Sequence, residues 1–246
     1  MSSATVVNIV FADLASLDLG GCSPQVLSRL TADDRLRHAS IRRPQRQIQF
    51  LAGRLLALEG ADRGLGPYPG EESLPAARNI SHTRNWAACA FSSRSTVGFD
   101  IEQIRPRAIE ALAAAACSPA ERLELARCAD SDRKQLFYRY WTAKEAFAKA
   151  CRQGLALDLS ALDVSLNSRR LFYPKGIAPE SCRFVGQSAL LTPSLAASVI
   201  LKSDGEAEVI WRWWQRSTAV GDWQAAAPSA LIELHGEAIG SATPGV

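Results

Sequence analysis

At 246 residues, with 47% hydrophobic and 22% charged side chains, the chain can bury a sizeable core as one large domain or two smaller ones, which excludes the disordered and collagen-like classes. No apolar run approaches the roughly 20 residues of a membrane span, and the amino terminus has no basic region followed by an uninterrupted apolar stretch, so a cytoplasmic protein with no membrane role is expected. The net charge of +3 is too small to argue for nucleic acid, and cysteines at 22, 89, 117, 128, 151 and 182 form no CxxC pair, so reduced thiols and no zinc site are expected.

Residues 5–11 read as an opening strand, and 23–60 as helix, started at Ser23-Pro24, divided by Pro44 and stopped at Gly60. Arg29, Arg35, Arg37, Arg42, Arg43, Arg46 and Arg54 crowd this region, either as a solvated helix face or as a surface for a polyanion. A glycine- and proline-rich loop spans 63–75. Strands at 79–82 and 86–91, a turn at 92–95 and a strand at 97–101 then suggest a β-hairpin. Helices follow over 106–128, broken near Ser118-Pro119, and over 131–152, ending near Gly154. Strands are predicted at 161–166, 182–185, 195–201 and 207–214, with a turn at Ser203-Asp204-Gly205. This order gives two α+β halves, 1–105 and 106–217, and a loosely packed tail over 218–246. No internal sequence repeat is visible, so any twofold relation between the halves would be structural alone.

Two short segments carry the chemistry. In Val97-Gly98-Phe99-Asp100-Ile101-Glu102 the strand period puts Asp100 and Glu102 on one face as hard oxygen donors. In Trp141-Thr142-Ala143-Lys144-Glu145-Ala146-Phe147-Ala148-Lys149 the helical period puts Glu145 and Lys149 one turn apart on one face. Three carboxylates and a nearby ammonium suit Mg²⁺ on a pyrophosphate. The competing structural reading is a salt bridge to Lys144 or an arginine, since ionised carboxylates on a buried strand need a positive partner. Arg46, Phe50 and Arg54 fall at i, i+4 and i+8, so two guanidiniums can grip phosphates from one helix. His82 can donate to a phosphate or serve as a structural histidine, and the tryptophans at 141, 211, 213 and 214 read as packing.

These residues resemble the 4′-phosphopantetheinyl transferases of the larger, monomeric type. Val97–Glu102 looks like the family's V-G-(I/F)-D-x-E segment and Trp141–Lys149 like its W-(T/S/C)-x-K-E-(A/S)-x-x-K segment. Asn79-Ile80-Ser81-His82 is similar to its N-(I/L)-S-H segment, Arg46 to Arg54 to its R-x3-F-x3-R helix, and Gly154-Leu155 fits as well. The likeness runs from about residue 30 to 200. It implies a pseudo-dimer of two similar α+β subdomains with the active site in the cleft between them. It further implies Mg²⁺, or Mn²⁺ in its place, on Asp100, Glu102 and Glu145, and coenzyme A on Arg46, Arg54, Ser81, His82, Asp100 and Lys149, with Lys144 a lesser candidate. Departures are the short segment before Asn79 without a G-x-P element, Phe99 at an Ile or Val position, and Gln47 and Gln49 where basic residues are common.

The implied reaction moves phosphopantetheine from coenzyme A to a serine of an apo-carrier protein, an acidic helical bundle of fatty-acid, polyketide or nonribosomal-peptide synthesis, and releases adenosine 3′,5′-bisphosphate. Glu145 and Lys149 are the expected catalytic pair, Glu145 as general base directly or through a water. A metal-dependent phosphodiesterase would use the same carboxylates with water as nucleophile, and a binding module would hold coenzyme A or the carrier without turnover.

Overall fold

The computed structural model describes residues 4–17, 19, 24–68, 77–205, 208–216 and 222–239. Cys22, the helix start at Ser23, the predicted loop from residue 69 onward, and residues 218–221 and 240–246 of the predicted tail lie outside them.

The chain begins with β1 (Thr5–Asp13), α1 (Pro24–Arg29), α2 (Ala32–Ser40), α3 (Pro44–Asp62), β2 (Arg78–Thr83), β3 (Trp86–Ser92) and β4 (Thr96–Gln103). It continues with α4 (Ile109–Ala116), α5 (Pro119–Arg127), α6 (Asp130–Ala150), β5 (Asp163–Ser165), β6 (Arg170–Pro174), β7 (Arg183–Thr192) and β8 (Leu195–Ser203). Last come β9 (Val209–Arg216), β10 (Trp223–Ala225) and β11 (Ser229–Ile239). The described strands form a five-stranded sheet, β10-β9-β1-β3-β2, and a six-stranded sheet, β4-β8-β7-β11-β6-β5. The fold is α+β in two compact units, one of residues 1–97 with 207–227 and the other of 98–206 with 228–246.

In the first unit, Pro44 opens α3 where its missing N–H costs nothing, and Gly64, at φ +68°, lets the Leu65 amide close the helix end on the Gly60 carbonyl at 2.9 Å. The helix lays Ala52, Leu55 and Leu56 on Val10 and Ala12 of β1 and on Ala87, Cys89 and Phe91 of β3. In the second unit, α6 sets Phe137, Tyr140, Ala143 and Phe147 against Leu171, Tyr173, Phe184, Ile200 and Leu234 of the sheet. The Phe147 ring lies 4.6 Å from Phe184 and 5.1 Å from Tyr173.

Three expectations change. The hairpin is β2–β3, and β4 is hydrogen-bonded to β8 in the other sheet, because residues 93–95 carry the chain away, with the Ser93 amide on Val6 O at 3.0 Å. The division at 105 and the halves drawn there give way to a junction at 97, and residues 207–227 group with the first unit. There β9 runs parallel to β1, and Arg216 holds Glu59 of α3 at 2.9 Å. The tail is not loose in its described part, since β11 lies between β7 and β6. A bulge between Ser229 and Ile232 accompanies the Ala230 carbonyl's acceptance of a 2.8 Å hydrogen bond from Arg139 of α6.

One buried ion pair fixes the long helix. Ser118 and Glu121 form a reciprocal capping box at the start of α5. The Glu121 carboxylate, 1% exposed, also accepts from Lys144 Nζ at 2.5 Å and from the Val164 amide at 2.7 Å. The Lys144 ammonium, equally buried, donates further to the carbonyls of Ala116 and Leu159 at 2.9 and 3.0 Å. Burial pushes the Glu121 carboxyl up, and Lys144 with the two amides pulls it back. Removing one partner strands the other charge, so Lys144→Met should cost about 3–5 kcal/mol in urea unfolding. The double replacement Lys144→Met, Glu121→Leu should recover only part of that loss, because the amides of Ser118 and Val164 and the carbonyls of Ala116 and Leu159 lose their partners; a double variant as stable as the parent would show that these backbone contacts contribute nothing.

Candidate active site

Gly98 decides how closely β4 meets α6. A Cβ there would overlap the Ala146 carbonyl and the Ala150 amide, so only glycine allows this approach. Asp100 and Glu102 follow on the same face of β4 by the strand period. Asp100 is 6% exposed, and its Oδ1 accepts from Lys149 Nζ at 2.8 Å, while the same ammonium donates to the Phe99 carbonyl at 2.9 Å. Lys149 stands in the last turn of α6, where the helix dipole favours a cation. Burial first, then the Asp100 charge, holds the Glu145 carboxyl above the ordinary carboxylate range, with Lys149 pulling it down. Residues from two segments about forty positions apart in sequence thus act on one another: Asp100, Glu145 and Lys149.

Two predicted members stand differently. Lys144 serves no ligand, since it is fully buried on Glu121, and it is not the salt-bridge partner of Asp100. Among the described residues no group of three or more His, Cys, Asp or Glu is arranged to hold a metal ion, and of the three predicted carboxylates the Asp100 charge acts on Glu145. Glu102, the next residue on that face of β4, is half-buried. Its charge acts on Tyr138, whose phenol is pushed up first by burial.

The first unit contains a polar cavity of about 260 Å³, lined by Arg37, Phe50, Arg54, Arg78, Asn79, Ile80 and His82. Gly53 helps to build it, because its missing Cβ gives α3 close contact with Ile80 of β2, where an added Cβ would lie 2.5 Å from Ile80 Cγ2. Arg54, the next residue, stacks over the Phe50 ring with its Cζ 4.6 Å from the centroid, and Arg37 approaches the same ring at 5.9 Å. Ser81 is buried on β2 and does not line the cavity. Arg46 is exposed on α3 and is not brought to Arg54's cavity. Gln49, buried, donates its amide to the Arg84 carbonyl at 2.9 Å and so ties α3 to the β2–β3 turn, which accounts for a glutamine where a cation was expected.

Sequence reasoning missed the cavity roles of Arg37 and Arg78 and the partner of Arg54, which is Asp34 of α2 at 2.7 Å. A signal was present in Thr31, whose hydroxyl caps the Asp34 amide at 3.1 Å and fixes the start of α2. Ser118-Pro119-Ala120-Glu121 likewise carries the capping-box spacing.

The Glu145 environment has a measurable consequence. A carboxyl with a raised pKa in the fold binds its proton more tightly there than in the unfolded chain, so stability falls as pH rises from the unfolded value, about 4.5, through the folded one. Glu145→Gln removes that loss. Calorimetry should show it melting above the parent at pH 8 and not at pH 4; equal melting at pH 8 would remove the burden assigned to this charge.

The chain is similar in sequence to known proteins. A sequence model described as the 4′-phosphopantetheinyl transferase superfamily matches residues 96–213, which include both segments. The 4′-phosphopantetheinyl transferase HetI of Nostoc sp. is 37% identical over 89 residues, 36% of this chain and 37% of that protein. The 4′-phosphopantetheinyl transferase Sfp of Bacillus subtilis is 37% identical over 95 residues, 38% of this chain and 42% of that one. The chain therefore spans about two fifths of the length of these two relatives. The 4′-phosphopantetheinyl transferase AcpT of Salmonella typhimurium is 36% identical over 135 residues, 50% of this chain and 68% of that protein. With the paired segments on β4 and α6 and this extent of likeness, the chain belongs to the 4′-phosphopantetheinyl transferase superfamily.

Proposed function

We propose that this protein transfers the 4′-phosphopantetheine group of coenzyme A to a serine of apo-carrier proteins. The observation that carries the reading is the meeting of Asp100, Glu145 and Lys149 from β4 and α6. The serine oxygen attacks the β-phosphorus, the phosphorus–oxygen bond to adenosine 3′,5′-bisphosphate breaks, and the serine proton passes to a base. Glu145 is the base proposed for that proton, directly or through a water: burial and the Asp100 charge raise the proton affinity of the free carboxylate, and a carboxylate engaged by a cation would leave the transfer to the water. Lys149, held between the Phe99 carbonyl and Asp100, brings a fixed positive charge to the phosphate oxygens on which negative charge grows. Arg54 and His82, in the cavity of the first unit, supply donors suited to phosphate oxygens of the nucleotide.

The donor set also suits Mg²⁺. Asp100 and Glu145 are hard oxygen donors whose like charges burden each other, a repulsion that a divalent cation relieves, and Mg²⁺ needs only one or two carboxylates beside substrate phosphates. Asp100 and Glu145 would hold it, with Glu102 the next carboxylate on the same strand face. Bound there, it would supply charge neutralisation at the pyrophosphate. Acidic carrier domains are the proposed acceptors, and a cytoplasmic monomer is the proposed form.

The test is to incubate the protein with coenzyme A, Mg²⁺ and a panel of apo-carrier domains and to weigh each carrier by mass spectrometry. One phosphopantetheine unit should be gained and chelator should abolish the gain, whereas cleavage of coenzyme A with every carrier unmodified would make the protein a hydrolase. Asp100→Ala and Glu145→Ala should each slow transfer at least roughly a hundredfold while the fold is retained. Near-parental transfer by either variant would remove that residue from the reaction.

A further inference from the structure

We propose that Asp34 is a positioning residue that sets the guanidinium of Arg54 for a phosphate group of the nucleotide co-substrate, an inference that rests on the function proposed above. Asp34 Oδ1 accepts from Arg54 Nε at 2.7 Å, and the two side chains are only 14% and 18% exposed. Among the described residues this is the hydrogen bond that the Arg54 guanidinium makes. Arg54 lines the cavity and Asp34 does not, so the carboxylate reaches Arg54 from outside it. A guanidinium has a rigid fork: a carboxylate engaged at Nε leaves the terminal nitrogens to bind phosphate.

The support behind the pair is itself fixed. The Thr31 hydroxyl caps the Asp34 amide, and Phe50 carries the flat face of Arg54 with the centroid 4.6 Å from Cζ. One more helical turn along α2, Arg37 approaches the same ring. Edge and face of Arg54 are therefore both held by neighbours, and a side chain that would otherwise sample many rotamers meets the ligand with its orientation already set. Asp34 costs the cavity some positive potential, and the inference is that fixed geometry outweighs that cost.

Binding of adenosine 3′,5′-bisphosphate to the full chain, read by titration calorimetry, tests this in the parent, Asp34→Asn, Arg54→Ala and the double variant. Asp34→Asn should weaken binding about tenfold, the size of one lost charge-assisted contact. It should weaken binding no further in the Arg54→Ala background, and Asp34→Glu, which keeps the charge, should recover part of the loss. In the transfer reaction Asp34→Asn should raise KM for coenzyme A far more than it lowers kcat. Tighter binding by Asp34→Asn would show that Asp34 merely competes with phosphate for Arg54; additive weakening in the double variant would place its action elsewhere; a parent that binds no bisphosphate would remove the phosphate seat. Each of these overturns the proposal. If Asp34→Asn does not fold, Asp34→Glu decides: it should bind more weakly than the parent and cause no further loss in the Arg54→Ala background, and either parental or tighter binding in the parent or a further loss in that background overturns the proposal. The coupled pattern without transfer to any carrier would support the role of Asp34 and overturn the transferase reading.

Discussion

A lysine and a glutamate without solvent around them set the terms for the second unit. Glu121 closes the first turn of α5 and reaches the β5 amide of Val164, while Lys144 projects from the middle of α6 and also takes the last carbonyl of α4. Both charges are out of water, which is tolerable only because nearly all their donor and acceptor capacity is used. The pair fixes α6 in rotation as well as in position. Glu145, the next residue, and Lys149, one turn further on, consequently emerge at defined directions beside β4.

That rotation matters because the neighbouring contact has no slack. At Gly98 the backbone of β4 meets the backbone of α6 without a side chain between them. A small turn of the helix would part Lys149 from the Asp100 carboxylate or drive the Ala146 carbonyl into the strand. The site is thus built on two rigid elements, one located by a buried charge pair and the other by a missing methyl group. The first unit uses the same device at Gly53, where α3 closes on Ile80 just before Arg54.

Much of this was written locally. Pro44 marks the division between α2 and α3, Ser118-Pro119 that between α4 and α5, and the strand and helix periods place Asp100 with Glu102 and Glu145 with Lys149. What sequence reasoning missed depends on residues far apart in the chain. The partner of Lys144 lies 23 positions away and that of Arg54 lies 20 positions away, and no local pattern selects either. The repeated Ala, Ser, Gly and Pro after residue 218 read as a loose tail, and the strand character of β11 comes from β6 and β7 on either side. Proximity in sequence to β3, the usual rule for consecutive strands, puts β4 in a hairpin, whereas its hydrogen bonds go to β8.

The strand that covers the second edge of β1 comes late in the chain. β1 ends at Asp13 and its parallel neighbour β9 begins at Val209, so about 200 residues must be made before that edge of β1 is covered. At about 5–20 residues per second, a ribosome leaves it open for roughly 10–40 s. Throughout that time Val7, Ile9 and Val10, fully buried in the finished protein, belong to a strand with an unpaired edge. The nascent chain therefore carries a template for mispairing long before it carries a site, and chaperone occupancy during synthesis should follow the emergence of β9 more closely than that of either functional segment.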